Sequence, residues 1–471
     1  MSDDDPIARF LDELYPYRAE TETFRAIPEQ GRPVEEVLAE VRSFARREDA
    51  IGDEGKVSGS LYCGDHDHYH VLTEVFESFA HVNVLQRDMY PSATKFEAEI
   101  IAMVADMLHG EAAGSDVCGV VTSGGSESLI TALYTYREQA AKERGITRPN
   151  VVMPTTAHVA LDKGAHWLGI EMRHAPLTDA FVVDVDAMAA LIDENTIAIV
   201  GSAGNYAHGL VDPIPELGQL ALERGIGLHV DGCLGGFLLP WIEEVGGDVP
   251  PWDFRVPGVT SISADTHKYG YALKGTSTLM YRTKALRAHQ WFTYPDWPGG
   301  LYLSPGFAGS RSGGLIASTW ASLVLTGREG YLAAAKQIHD AAQRMTAGIR
   351  DRMPPLEVIG DPIFLVAFRS DEVDVYLVND ELKRRGWRMN ALQLPAALHF
   401  CVTRPNTAPE LIDRYLDDLE ASVAYAVAHA GQPAESGAMY GFSGTVEGNA
   451  AVEGLMGGYL DAMHDTAPPA A

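Results

Sequence analysis

Between residues 118 and 281 the chain alternates short β-branched runs with helical stretches, and nothing else in the sequence constrains the fold as tightly. The runs are CGVVTS, NVVMP, TIAIVGS, GLHVD, VTSIS and STLMYR. They lack the regular polar alternation of a half-solvated strand, so both faces must be buried. Compact apolar strands separated by helices predict an α/β domain built on a mostly parallel sheet. Downstream, a helical stretch at 330–352 leads into an α+β pattern with strand candidates EVIG, FLVAF and ALHFCVT and a helix in VDVYLVNDELKRRG. Three units are therefore expected: an N-terminal segment at 1–95, a large α/β domain at 96–328, and a smaller α+β domain at 329–471 with a flexible tail. The N-terminal segment has an amphipathic helix at 34–47. From Gly431 the composition suggests an irregular arm whose last residues, HDTAPPAA, are disordered.

Charge narrows the partners. With 36 basic and 65 acidic residues the formal net charge is −29, which opposes binding to nucleic acid or to an anionic membrane surface. The four cysteines contain no CxxC pair, so reduced thiols in a cytoplasm are expected rather than a disulfide framework or a zinc site. The start, MSDDDPIARF, lacks a basic-then-apolar leader pattern, and no apolar run reaches the roughly 18 residues of a membrane span. The expectation is a soluble cytoplasmic protein.

In an open α/β sheet, ligands bind at the carboxyl ends of the strands. The loop TSGGSES at 122–128 joins the first strand to a helix. Its glycines let the backbone approach an anion, and the hydroxyls of Ser123 and Ser126 with the free helix amides offer a phosphate site. A tight turn with Ser126 as N-cap explains the loop equally well. Asp231 ends the strand GLHVD; it suits either a protonated ring nitrogen or a structural capping role. His158 follows another strand end and suits stacking on a ring or ordinary packing. Lys268, beside His267 and near Lys274, lies 37 residues beyond Asp231 in SISADTHKYGYALKGTS. Only nine lysines stand against 27 arginines, so a lysine in such a loop stands out. Partial desolvation beside another cation predicts a lowered pKa, the condition for Schiff-base chemistry. The run DHDHYH at 65–70 alternates carboxylates and imidazoles, but adjacent residues rarely share one ion. It is read as a solvated polar turn, and no metal is expected.

TSGGSES, LHVDGCLGGF, FRVPGVTSISADTHKYGYALKGTS, DWPGGLYLSPGFAGSRSGG and LHFCVT together resemble the fold-type-I pyridoxal-phosphate enzymes of aspartate-aminotransferase-like architecture. Within them the likeness is to the sphingosine-1-phosphate lyase family, near the group II decarboxylases, and it covers about residues 57–460. The resemblance implies that the large domain binds pyridoxal 5′-phosphate, with Lys268 as its Schiff-base anchor. His158 would stack on the ring, Asp231 would pair with its nitrogen, and Gly125, Ser126 and His267 would hold its phosphate. Ser310 of GSRSGG would join them from a second subunit, implying a homodimer with shared sites. Tyr62, Asn83, Gln86, Tyr206 and Lys274 match positions near the substrate.

The implied reaction is carbon–carbon cleavage of a phosphorylated 1-amino-2-hydroxy sphingoid base, such as sphingosine 1-phosphate, to a fatty aldehyde and phosphoethanolamine. Tyr206, Tyr62 or Lys268 would carry the protons, and Lys274 would pair with the substrate phosphate. Two departures stand out. Where the family has NPLHPD, this chain reads Asn83-Val84-Leu85-Gln86-Arg87-Asp88, exchanging a histidine for Gln86 while Arg87 supplies a fixed charge. The family's PQFPHG is GNYAHG at 204–209. Decarboxylation of an amino acid, which needs the same electron sink, is the alternative reading.

Overall fold

The computed structural model describes residues 14–17, 20–436 and 446–466, with the side chains of 446–451 excepted. Seven strands build the large sheet: β1 (Cys118–Thr122), β2 (Asn150–Pro154), β3 (Glu171–Ala175), β4 (Thr196–Ser202), β5 (Gly227–Asp231), β6 (Ser261–Ala264) and β7 (Ser277–Tyr281). Their order is β1-β7-β6-β5-β4-β2-β3. The run from β6 through β5, β4 and β2 to β3 is parallel, and β7 is antiparallel to both β1 and β6. The mostly parallel sheet is therefore present. Six of its strands coincide with the apolar runs of the sequence. The seventh, β3, reads EMRHA and is mostly exposed or half-buried, so it needs no continuous apolar run.

Alternate residues of these strands feed two cores. Val120, Val151, Met153, Leu279 and Tyr281 pack on one side, and Val121, Val152 and Met280 on the other. The period of two that sends successive side chains to opposite faces explains the split. The second core is continuous with the C-terminal part of the chain, where Phe364, Phe368, Leu398 and Phe400 are fully or almost fully buried.

An antiparallel ribbon, β8 (Phe292–Trp297) with β9 (Gly300–Ser304), follows the large sheet. Then β10 (Glu357–Val358), β11 (Leu365–Arg369), β12 (Asn390–Leu392) and β13 (Ala397–Cys401) form a second sheet of order β10-β11-β13-β12. The helices Val375–Arg384 and Pro409–Ala428 accompany this sheet. The long helix reaches further back than its sequence pattern suggested, spanning Gly313–Arg352 with a non-helical Gly327 inside it. Residue 328 lies one position past that break, and residue 95 lies inside the helix Pro91–Met107.

Three local expectations are corrected. The 34–47 helix continues to Asp53. The DHDHYH run is no turn: Asp65 caps the helix His66–Ser78, accepting a hydrogen bond from the His68 amide at 3.1 Å. Its side chains diverge, His66 to Asp53, His68 to the Tyr271 carbonyl and Ser322, and His70 to Glu74. The C-terminal arm contains a helix, Val446–His464, whose apolar residues recur at helical spacing despite its glycines. Of the HDTAPPAA segment, residues 467–471 lie outside the described residues.

Residues 57–63 tie the N-terminal segment to the small sheet. The Ser58 amide donates to the Arg388 carbonyl and the Gly59 amide to the Cys401 carbonyl, both at 2.9 Å. The Ser58 hydroxyl accepts from the Cys401 amide at 2.9 Å. This pairing brings Tyr62 to the carboxyl edge of the large sheet.

Candidate active site

The side chains singled out in the sequence gather where β1, β2, β4, β5 and β6 end. Because β7 runs the other way, its first residue, Ser277, meets the same edge, and Lys274 stands just before it. The lysine loop is pinned on both sides. Tyr269, fully buried, donates to the Val402 carbonyl at 2.7 Å. Tyr271 stacks on Tyr331 with centroids 5.8 Å apart. Gly270 allows the turn between them, since a Cβ there would lie 2.5 Å from the Thr266 carbonyl oxygen. Thr266, Thr276 and Thr319 link by hydroxyls at 2.7 and 2.8 Å. The Tyr/Gly-rich composition of the loop thus reflects anchoring against both the small sheet and the long helix.

Lys268 points its Nζ at Asp265 Oδ2, 3.0 Å away. Burial works against the ammonium, but the Asp265 carboxylate outweighs it and holds the lysine above its ordinary range. The expectation of a lowered pKa at Lys268 is therefore corrected for the cofactor-free protein: the nearest charge is an anion three residues back. Lys274 shows the lowering instead, through burial first and Lys268 second. Its Nζ donates to the Ser60 carbonyl at 3.1 Å and lies 4.9 Å from the Tyr62 ring centroid. Burial raises the Tyr62 hydroxyl far above the tyrosine range, Cys401 adding to the effect and Lys268 opposing it.

Asp231 is buried and accepts from the Cys233 amide at 3.0 Å and the Ser263 hydroxyl at 3.4 Å. It forms no ion pair among the described residues, so a buried carboxylate is available to a cationic ring nitrogen. His158 Nδ1 accepts the Ala160 amide at 3.1 Å, which places its proton on Nε2. Its ring meets Tyr206 edge-on at 6.3 Å, and Tyr206 meets His399 the same way at 5.1 Å. The GNYAHG loop that carries Tyr206 is fixed from within by Asn205, whose Oδ1 accepts the His208 amide at 2.7 Å. From below, His399 Nδ1 donates to the Ala207 carbonyl at 2.9 Å.

Gly124, not Ser126, is the N-cap of the helix Gly125–Arg144, and Ser126 lies exposed in its first turn. The capping alternative for Ser126 is thereby corrected. Glu127 takes the Ser123 amide at 2.7 Å. A Cβ on Gly125 would stand 2.7 and 2.9 Å from the two Asp265 carboxylate oxygens, so only glycine lets the helix start approach that carboxylate. His267 Nδ1 donates to the Thr276 carbonyl at 2.6 Å, leaving Nε2 toward the site, 3.8 Å from Asp265 Oδ2. Burial lowers the His267 pKa against the pull of Asp265.

Asn83 and Ser310 meet within this one chain: Asn83 Nδ2 donates to Ser310 Oγ at 3.0 Å. Gln86 is exposed. Arg87 is not a spare cation beside it, because its guanidinium is committed to Glu97, which Arg311 also holds at 2.7 and 3.0 Å. The expectation that Arg87 replaces a lost substrate-facing charge is corrected on that ground.

Asp265 escaped the sequence reading. It is 2% exposed, and its Oδ1 has no hydrogen-bond partner among the described residues. The signal was its spacing, three residues before Lys268, which one turn of a loop can bring together. An orphaned buried oxygen, a buried Asp231 without a cation and a glycine-lined helix start fit a bound group with a cationic ring, a carbonyl carbon and a phosphate.

A family model described as the pyridoxal-dependent decarboxylase conserved domain matches residues 25–371. The sphingosine-1-phosphate lyase of Arabidopsis thaliana is 42% identical over 446 residues, covering 93% of this chain and 81% of the plant protein. That of Saccharomyces cerevisiae is 38% identical, covering 97% and 78%. A solved Burkholderia pseudomallei sphingosine-1-phosphate lyase superposes with a TM-score of 0.90 at 47% identity, covering 96% of this chain and 99% of that one. A Lactobacillus brevis glutamate decarboxylase superposes at 0.74 with 21% identity, covering 88% and 98%, which shows a shared fold alone.

Proposed function

Because the chain belongs to the pyridoxal-dependent decarboxylase family, and within it to the sphingosine-1-phosphate lyases, we propose that it cleaves the carbon–carbon bond of a phosphorylated long-chain amino alcohol. The products are a fatty aldehyde and phosphoethanolamine. The observation that carries the reading is the placement of two lysines at one sheet edge: Lys268, half-buried and aimed by a carboxylate, and Lys274, with no ion-pair partner among the described residues. The first suits covalent attachment of a cofactor and the second suits an anionic head group.

Pyridoxal 5′-phosphate, when bound, accepts the electron pair left as a bond to the amine-bearing carbon breaks. Lys268 is its anchor, Asp231 meets its ring nitrogen, and His158 covers a ring face. Gly125, Ser126 and His267 hold its phosphate. Asp231 has a physical reason to prefer that partner, since a buried carboxylate without a cation is costly. In a homodimer, Ser310 of a second subunit completes the phosphate site. Tyr62, Asn83 and Gln86 line the substrate side, where Lys274 pairs with the substrate phosphate through a charge-assisted bond. Burial keeps Tyr62 protonated, so it acts as a donor, and Tyr206 and Lys268 move protons at the substrate hydroxyl and at the amine-bearing carbon.

No helix among the described residues is long and apolar enough to cross a membrane. The acidic charge and four buried free thiols support action in a cytoplasm. The deciding experiment offers sphingosine 1-phosphate and a panel of amino acids to the purified enzyme. Fatty aldehyde and phosphoethanolamine are expected from the lipid. Carbon dioxide from an amino acid, with no aldehyde from the lipid, would establish the decarboxylase reading that Gln86 keeps open.

A further inference from the structure

Asp265 leaves β6 directly into the lysine loop, and its carboxylate is shut between that loop and the start of the helix Gly125–Arg144. Oδ2 lies 3.0 Å from Lys268 Nζ and 3.8 Å from His267 Nε2, while Oδ1 has no partner among the described residues. Burying a carboxylate this deeply is costly unless a cation accompanies it, and the positive end of a 20-residue helix adds to that cation. The other charged or titratable groups facing the pair are Cys233 just past β5, itself beside Asp231, Tyr62 from the 57–63 segment, Lys274 from the loop and Cys401 from β13.

We propose that Asp265 is the positioning residue of Lys268: it aims Nζ and is the counter-ion that keeps that nitrogen positively charged, both in the free protein and after the nitrogen is joined to the cofactor's aldehyde carbon. The proposal rests on Lys268 being the cofactor anchor. One Nζ–H bond breaks, its proton passes to Oδ2, and the electron pair left on Nζ bonds to the aldehyde carbon. The aldehyde oxygen departs as water with the two protons remaining on Nζ, and Oδ2 returns its proton to the linked nitrogen. Asp265 ends as it began, so no co-reactant is required. Asp231 meets the ring from the end of β5, so the two aspartates serve opposite ends of the cofactor.

The test uses the full-length protein and Asp265→Asn, which keeps the side-chain shape and removes the charge. In the cofactor-free protein, labelling with trace acetic anhydride across a pH series, read by peptide mass, gives the titration midpoint of each lysine. Lys268 is expected to titrate above Lys274 in the wild type, and in the Asn variant its midpoint falls by a pH unit or more, a tenfold gain in reactivity at a given pH. In the loaded protein, the pH at which the bound cofactor's absorbance changes falls by a similar amount in the Asn variant and is largely restored in Asp265→Glu. Should the Asn variant not fold, the wild-type order still decides: Lys268 titrating at or below Lys274 overturns the proposal. So does an Asn variant that binds cofactor with an unmoved midpoint. Cofactor trapped by borohydride on a different lysine instead overturns the site reading, a result the labelling experiment does not depend on.

Discussion

Lys268 and Lys274 lie six positions apart, yet the two amines, both disfavoured as cations by burial, end up shifted in opposite directions because only one has a carboxylate at its Nζ. Lys268, held by Asp265, stays charged. Lys274 has a carbonyl and a tyrosine face, partners that solvate an ammonium without neutralising it, and burial lowers its pKa. A phosphate arriving at Lys274 would supply the missing anion and restore the charge. Lys274→Ala is therefore expected to raise KM for the phosphorylated substrate roughly 10- to 100-fold, the range of one lost charge-assisted hydrogen bond of about 1.5–3 kcal/mol, and to leave the cofactor's absorbance in place. Steady-state kinetics with phosphorylated and dephosphorylated substrate checks this, and equal loss for both would place the anion site elsewhere. Lys268→Ala is expected to abolish both turnover and the borohydride-reducible cofactor adduct, as read by intact mass.

The lysine loop depends on elements far from it in sequence. Tyr269 reaches across to the Val402 carbonyl beyond β13, so the small sheet sets the position of Lys268. Tyr269→Phe removes that bond and leaves a buried carbonyl unsatisfied, at a cost of about 1–3 kcal/mol. A drop in Tm of roughly 2–4 °C per kcal/mol follows, with weaker cofactor retention, measurable by calorimetry and dialysis; a wild-type Tm would show the loop to be held by Tyr271 alone. This dependence explains what the sequence displays and what it conceals. Strands buried on both faces must be apolar throughout, so β1, β2, β4, β5, β6 and β7 are visible as runs, and their ends locate Lys268, Asp231 and His158. Strands left largely exposed escape that rule, which is why β3 (EMRHA) and the ribbon β8–β9, with most of its residues exposed, are not legible. Pairings are less legible still. Nothing local announces that Glu97 is shared by Arg87 and Arg311, because Arg311 lies 214 residues further along the chain. Asp265 is the intermediate case: its spacing to Lys268 is local, but the lack of a partner for its Oδ1 among the described residues is a property of the folded interior.

For the whole molecule the deciding quantity is charge. Sixty-five acidic against 36 basic side chains leave −29 on the chain, while most of the ion pairs sit at the surface, where each contributes only about 0–1 kcal/mol. Like charges crowded on a compact body repel, and unfolding separates them, so the excess works against the native state. The buried contacts that organise the site answer to different physics. Glu97 between its two arginines and Asp265 on Lys268 are enclosed, and screening by dissolved ions reaches them weakly. Adding sodium chloride from 10 mM to 300 mM shortens the screening length from about 30 Å to below 10 Å. That should relieve the surface repulsion while sparing the buried pairs. Tm is therefore expected to rise by several degrees over that range, followed by scanning calorimetry, and the pH midpoint of the bound cofactor's absorbance should hardly move. A Tm that falls with salt would mean that attraction within the surface pairs outweighs the net repulsion. A midpoint that tracked the salt would mean that the Lys268 nitrogen is open to bulk ions, which the enclosure of Asp265 between the helix start and the lysine loop argues against.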